Sequence, residues 1–195
     1  FYVTPSQDGI RDYFKAFCDK IDLPVLLYDI PSRTRIALAP ETIARMVEDG
    51  TIVGMKACNT DANHFNRVID FVGEKIGVLS GEDLYLPIQV AMGGAGGVLA
   101  SATMVPRYWV EMFELARTDL STALRRQRAL FPLLDAIFSE CNPGPLKAAM
   151  RMIGFELGDV LLPLKPPSAA TVQKLERAIA GLREARILEQ PAKAA

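Results

Sequence analysis

The chain is poor in the residues that build metal and redox centres. It has one histidine and three cysteines among 195 residues. The cysteines, Cys18, Cys58 and Cys141, are odd in number and far apart, so they form no paired framework or ligand motif. That usage fits a reduced, cytoplasmic compartment, with Cys58 reading as a small buried thiol and a place near Lys56, two residues before it, as the alternative. No run of apolar residues approaches the eighteen or so that a membrane helix needs. Charge of one sign is also missing, because 22 basic and 23 acidic residues leave a net charge of −1. A nucleic-acid footprint is therefore not expected, and the local cluster Arg125, Arg126, Arg128 reads as the solvated face of a helix.

Short apolar runs at a regular period are present instead. Four of them, Pro24–Tyr28, Ile52–Lys56, Ile76–Ser80 and Gly97–Ser101, start at residues 24, 52, 76 and 97. Between them lie stretches with helical spacing, such as Ile43, Met46, Val47 and Phe65, Val68, Ile69, Val72. Strand, helix, strand at this interval predicts βα units on a parallel sheet, with strands buried on both faces. Each run ends in a functional group: Tyr28, Lys56, Ser80 or Ser101. In a (β/α)8 barrel such strand ends line the active site, and Lys56 stands out among them. A charged side chain closing an apolar strand has no packing purpose. Held in a dry mouth, it could lose its proton and attack a carbonyl.

A barrel usually takes about 250 residues, so a chain of this length with four or five strands looks incomplete. Its start, without methionine, reads as a cut from something longer. Residues 1–117 read as barrel units, roughly strands 4 to 8. Residues 118–195 read as a helical region, with breaks near Thr118-Asp119 and at Asn142-Pro143-Gly144-Pro145 and a last helix from Ser168 to about Arg186. The end, 190–195, reads as unordered. Gly93-Gly94-Ala95-Gly96-Gly97 follows a helix and precedes a strand, so it reads as a tight connection and not a dinucleotide-binding turn. His64 reads as a surface residue, and Glu82 and Asp83 as capping or pocket-orienting carboxylates.

Five segments together carry a resemblance: Tyr28-Asp29-Ile30-Pro31-Ser32-Arg33-Thr34, Gly54-Met55-Lys56, Ser80-Gly81-Glu82-Asp83, Gly93-Gly94-Ala95-Gly96-Gly97-Val98 and Asn142-Pro143-Gly144-Pro145-Leu146-Lys147. In order and spacing the chain resembles the dihydrodipicolinate synthase family, within the N-acetylneuraminate lyase superfamily of class I pyruvate aldolases. The resemblance implies a TIM (β/α)8 barrel with a C-terminal helical appendage, with about three strands lying ahead of residue 1. It implies Lys56 as the Schiff-base residue for pyruvate and Tyr28 as the proton-shuttling tyrosine. Tyr2 matches a second tyrosine that the family's relay takes from a partner subunit. Arg33 matches the arginine that binds the aldehyde's carboxylate, with Ser32 and Thr34 beside it, and the backbone at Val98 matches a contact to the pyruvate carboxylate. No metal and no cofactor beyond the covalent pyruvate adduct are implied, and the expected assembly is a homotetramer.

Two departures bear on the substrate. Arg35 stands where the family has glycine, and Ala57-Cys58-Asn59-Thr60-Asp61 replaces acidic and small residues after the lysine. Condensation of pyruvate with aspartate semialdehyde in lysine biosynthesis is the leading reading. A lyase or dehydratase acting on N-acetylneuraminate or a 2-keto-3-deoxy sugar acid, and a non-catalytic keto-acid-binding member of the fold, stand as alternatives.

Overall fold

The computed structural model describes residues 3–188, so Tyr2 and the expected unordered end both lie outside the described residues. The chain divides into two compact units, with the division between Leu99 and Ala100. This falls earlier than the 117/118 boundary read from the sequence. Helix α6 (Pro106–Thr118) packs on α7 (Leu120–Gln127) and so goes with the helices.

The first unit is built on four parallel strands in sequential order: β1 (Leu26–Asp29), β2 (Gly54–Ala57), β3 (Gly77–Ser80) and β4 (Gly96–Gly97). Helices α1 (Gln7–Cys18), α2 (Pro31–Thr34), α3 (Pro40–Glu48), α4 (Ala62–Val72) and α5 (Leu86–Ala91) accompany them. Their starts follow local chemistry. The Ser6 hydroxyl accepts from the Gly9 amide to cap α1, the Asp61 carboxylate accepts from Asn63 to cap α4, and Pro40 opens α3 where its missing N–H costs nothing. The core gathers Leu27, Met55 and Val78 from the strands with Ile43, Met46, Phe65 and Val68 from α3 and α4. Each such side chain contributes about 1.5–3 kcal/mol by leaving water.

Burial on both strand faces, as expected, does not hold. Along β1, Leu27 and Asp29 are buried, whereas Leu26 and Tyr28 are exposed. Helices cover only the face that carries Leu27 and Met55. The fourth strand is also shorter than expected. Gly93 and Gly96 turn to positive φ of 107° and 153°, as the glycine-rich connection predicted. The pairing of β4 with β3 is confined to Leu79 with Gly96 and Ser80 with Gly97, extended by the Val98 amide, which donates to the Ser80 carbonyl. Ser101 lies instead in a 3-10 turn of the second unit, where its Oγ accepts from the Trp109 indole at 2.8 Å.

In the second unit Asp119 ends α6 and caps α7, accepting from the Thr122 amide at 3.0 Å. The break expected at Thr118-Asp119 is therefore present. Helices α8 (Phe131–Ile137), α9 (Gly144–Met152) and α10 (Ala169–Glu184) follow, with Pro145 in the first turn of α9 as predicted. Leu133, Leu134, Ile137 and Leu175 are buried where α10 meets α8. No helix among the described residues is long and apolar enough to cross a membrane.

Candidate active site at the strand ends

Parallel register sets which strand-end side chains share a face. Tyr28 pairs with Lys56 and Lys56 with Leu79, while Asp29 pairs with Ala57 and Ala57 with Ser80. Laterally paired residues point to the same side of a sheet. Tyr28 and Lys56 therefore stand together, and Ser80 faces away. Ser80 is fully buried and donates its hydroxyl to the Glu82 carbonyl, so it is a structural serine and not a companion of the lysine.

Lys56 Nζ lies 3.2 Å from Tyr28 Oη and 4.3 Å from the centre of the Tyr28 ring. One phenol thus meets the amine through both its hydroxyl and its π face. Half of the Tyr28 side chain faces solvent. Burial at the hydroxyl raises the phenol above its ordinary range, opposed by the hydrogen bond with Lys56 and reinforced by the nearby Cys58. The hydroxyl therefore keeps its proton at neutral pH and is available to relay it.

Three further groups close around the pair. Cys58 is 5% exposed, and burial pushes its thiol up to about 11 against the pull of Lys56. Its amide donates to the Asp29 carbonyl at 2.9 Å, extending the β1–β2 ladder by one bond. The Gly81 amide donates to the Ala57 carbonyl at 2.8 Å and does the same for β2 and β3. Glu82 follows. Burial raises its carboxyl, while Cys58 and Lys56 oppose the rise and Asp83 adds to it. Glu82 caps no helix, since α5 begins at Leu86 with no side-chain cap.

The other expected site residues sit on flanking loops. Arg33 lies in the single turn α2 directly after β1, is exposed, and has no ion-pair partner among the described residues. It is free to meet an anion. Ser32 beside it is exposed. Thr34 is committed to its own loop, its hydroxyl lying 3.1 Å from the Ile30 carbonyl and 3.0 Å from that of Ile36. Arg35 adopts a left-handed φ of 61°, which a residue with a β-carbon holds only at a cost of about 1–2 kcal/mol. The Val98 amide donates to the Ser80 carbonyl at 2.8 Å, so a contact from Val98 to a carboxylate would not come from that amide. Among the described residues no three His, Cys, Asp or Glu side chains gather as a metal-binding set. His64 is half-buried, not on the surface, and its Nε2 donates to the Leu38 carbonyl at 2.7 Å.

Sequence reasoning paired Tyr28 with Lys56 and left Cys58 between a small buried thiol and a neighbour of the site, but did not place Gly81 against them. That convergence depends on two chain segments running past the ends of paired strands, which no local pattern encodes.

Comparison with known proteins identifies the family. A protein from Anaeromyxobacter sp. (strain K) named 4-hydroxy-tetrahydrodipicolinate synthase is 36% identical over 181 residues, 92% of this chain and 61% of that protein. A crystal structure of dihydrodipicolinate synthase from Thermotoga maritima is similar with a TM-score of 0.87 and 31% identity, over 96% of this chain and 64% of that one. The chloride-inhibited enzyme from Acinetobacter baumannii, solved in complex with pyruvate, gives 0.85 and 29% over the same shares. The chain thus spans less than two thirds of the length of these relatives, and its βα units are those of a TIM (β/α)8 barrel. The model of the dihydrodipicolinate synthetase family matches residues 1–182, and the chain belongs to that family.

Proposed function

We propose that this chain carries the reacting centre of a pyruvate-condensing lyase, a class I aldolase of the dihydrodipicolinate synthase type. The Lys56 amine adds to the ketone of pyruvate and expels water to give a protonated Schiff base. The iminium withdraws electrons, the pyruvate methyl loses a proton, and the resulting enamine carbon attacks the aldehyde of aspartate semialdehyde. Tyr28 relays protons to and from the carbinolamine and the new alkoxide. Arg33 presents a planar fork to the carboxylate of the incoming aldehyde, and the Ser32 hydroxyl flanks it. The covalent link to Lys56 does the electronic work that other lyases assign to a bound cofactor. Tyr2, supplied to a partner's relay in a homotetramer, completes the proposal, and the setting is the cytoplasm.

One observation carries this reading: an amine and a phenol 3.2 Å apart at the carboxyl ends of neighbouring parallel strands. Incubating the full-length protein with pyruvate and borohydride should leave a reduced adduct on Lys56, read by peptide mass. A folded protein with Lys56 unmodified rejects the proposal.

The second reading is a relative that uses another aldehyde acid. Arg35 in a left-handed conformation and Cys58 beside the lysine favour it, because both depart from the family pattern near the aldehyde side. Steady-state turnover of aspartate semialdehyde compared with N-acetylneuraminate and 2-keto-3-deoxy sugar acids separates the two. Pyruvate trapping without turnover of any of them would identify a keto-acid-binding protein.

A further inference from the structure

The side-chain space at Gly81 is already filled by its neighbours. A β-carbon there would lie 2.1 Å from Cys58 Sγ, 2.9 Å from Lys56 Cε and 3.0 Å from the Ala57 carbonyl oxygen. The thiol sulfur and the lysine stem therefore converge on one notch in the backbone, which exists because residue 81 has no side chain. Two hydrogen bonds fix the walls of that notch, from the Gly81 amide to Ala57 and from the Cys58 amide to Asp29. Neither wall is a flexible loop, since both continue the strand ladders.

We infer that Cys58 is a positioning residue for Lys56: its sulfur fills the space that Gly81 leaves open and walls the lysine stem on that side, holding the amine at the Tyr28 hydroxyl. The inference rests on the proposed Schiff-base chemistry and adds a component to it. A bound carbonyl reacts efficiently only when the nucleophile is confined, and a misplacement of about 1 Å can cost about a hundredfold in rate. A thiol suits the place. With its pKa pushed up to about 11 it stays uncharged at neutral pH, so Lys56 meets a polarisable, neutral surface and not a thiolate that would hold the ammonium form. The titratable groups facing it are Tyr28 from β1, Lys56 from β2 and Glu82 beyond β3, with Asp83 next to Glu82.

The test uses the full-length protein. It measures the rate of borohydride trapping of pyruvate on Lys56 against pH, beside kcat and KM for pyruvate. Cys58→Ala should lower kcat about tenfold, with KM for pyruvate held within about threefold, because binding persists while the amine loses its rail. Cys58→Ser restores most of the volume and should recover kcat to within about threefold of the parent. Gly81→Ala, driven against the sulfur, should lose at least about a hundredfold. Adding Cys58→Ala to it should regain about tenfold, because the new methyl group takes the sulfur's place. A folded Cys58→Ala with the parent's kcat and trapping profile overturns the inference, as does simple additivity of the two substitutions. Should Cys58→Ala fail to fold, the volume-restoring pair decides alone. A parent protein that traps no pyruvate removes the underlying reading as well, and that outcome is seen before any substitution is made.

Discussion

In the proposed mechanism Lys56 and Tyr28 divide the work by what each can give up: the amine would supply an electron pair, and the phenol, kept protonated by burial at its hydroxyl, a proton. Tyr28→Phe retains the ring beneath the Lys56 nitrogen and removes only the hydroxyl. It should lower kcat by about 10²–10⁴ while borohydride still traps pyruvate on Lys56, though more slowly; undiminished turnover would remove Tyr28 from the mechanism. Asp29, the next residue, obeys a different balance on the covered face. It is 4% exposed; among the described residues its Oδ2 has no hydrogen-bond partner and its Oδ1 accepts from the Leu38 amide at 3.5 Å. Burial therefore raises its carboxyl, opposed by the Leu38 amide and by the charge of His64. A carboxyl whose folded pKa exceeds its unfolded value binds its proton more tightly in the folded state. Its contribution to stability is then fully present below the unfolded value and is lost as pH rises through the folded one. Asp29→Asn removes the ionisation and should raise stability by on the order of 1 kcal/mol at pH 7.5, with no gain at pH 4, by urea unfolding at both values. An equal effect at the two pH values would show that shape and not charge is at issue.

Pairs of neighbouring elements explain why some of this was legible in the sequence and some was not. Apolar runs punctuated by turns announced β1 to β3, and the amphipathic spacing of Ile43, Met46, Phe65 and Val68 announced the helices that cover them. The face on which Ser80 falls was not announced, because a shift of one residue in pairing reverses every side chain of a strand. The length of β4 was hidden for a related reason: glycine is compatible with strand and turn alike. Helix boundaries were legible where their chemistry is local, as near Asp119 and at Ser168, both of which cap a helix. Ser168 shows how much one such residue ties together. Its hydroxyl caps α10 at the Thr171 amide and also meets the Glu140 carboxylate at 2.7 Å, and its own amide donates to Glu140 at 3.0 Å. Thr171 and Ser168 together hold the Glu140 carboxyl below the usual range. That contribution is present above the unfolded value and is lost as pH falls through the folded one. Ser168→Ala should lower stability at neutral pH and lower it less in acid, measured by chemical unfolding, whereas a cost independent of pH would assign it to the cap alone.

The first unit as a whole presents a sheet with one covered and one open face, and β1 forms an edge among the described strands. On that strand Leu26 and Tyr28 are 56% and 50% exposed. A strand with unpaired amides and carbonyls beside an apolar face is a template for another strand. Net charge offers little opposition, since −1 over 195 residues gives weak mutual repulsion. The 195-residue chain on its own should therefore self-associate with rising concentration, seen as a growing weight-average mass in sedimentation velocity. Leu26→Glu places a charge on the edge and should reduce that association. The second unit supplies the control: Leu161, 84% exposed on the loop before α10, gains the same charge in Leu161→Glu without touching the sheet. If both substitutions suppress association equally, net charge governs it and the strand edge is exonerated. If only Leu26→Glu does, the open side of the sheet that carries Lys56 is also the surface through which the chain seeks a further strand.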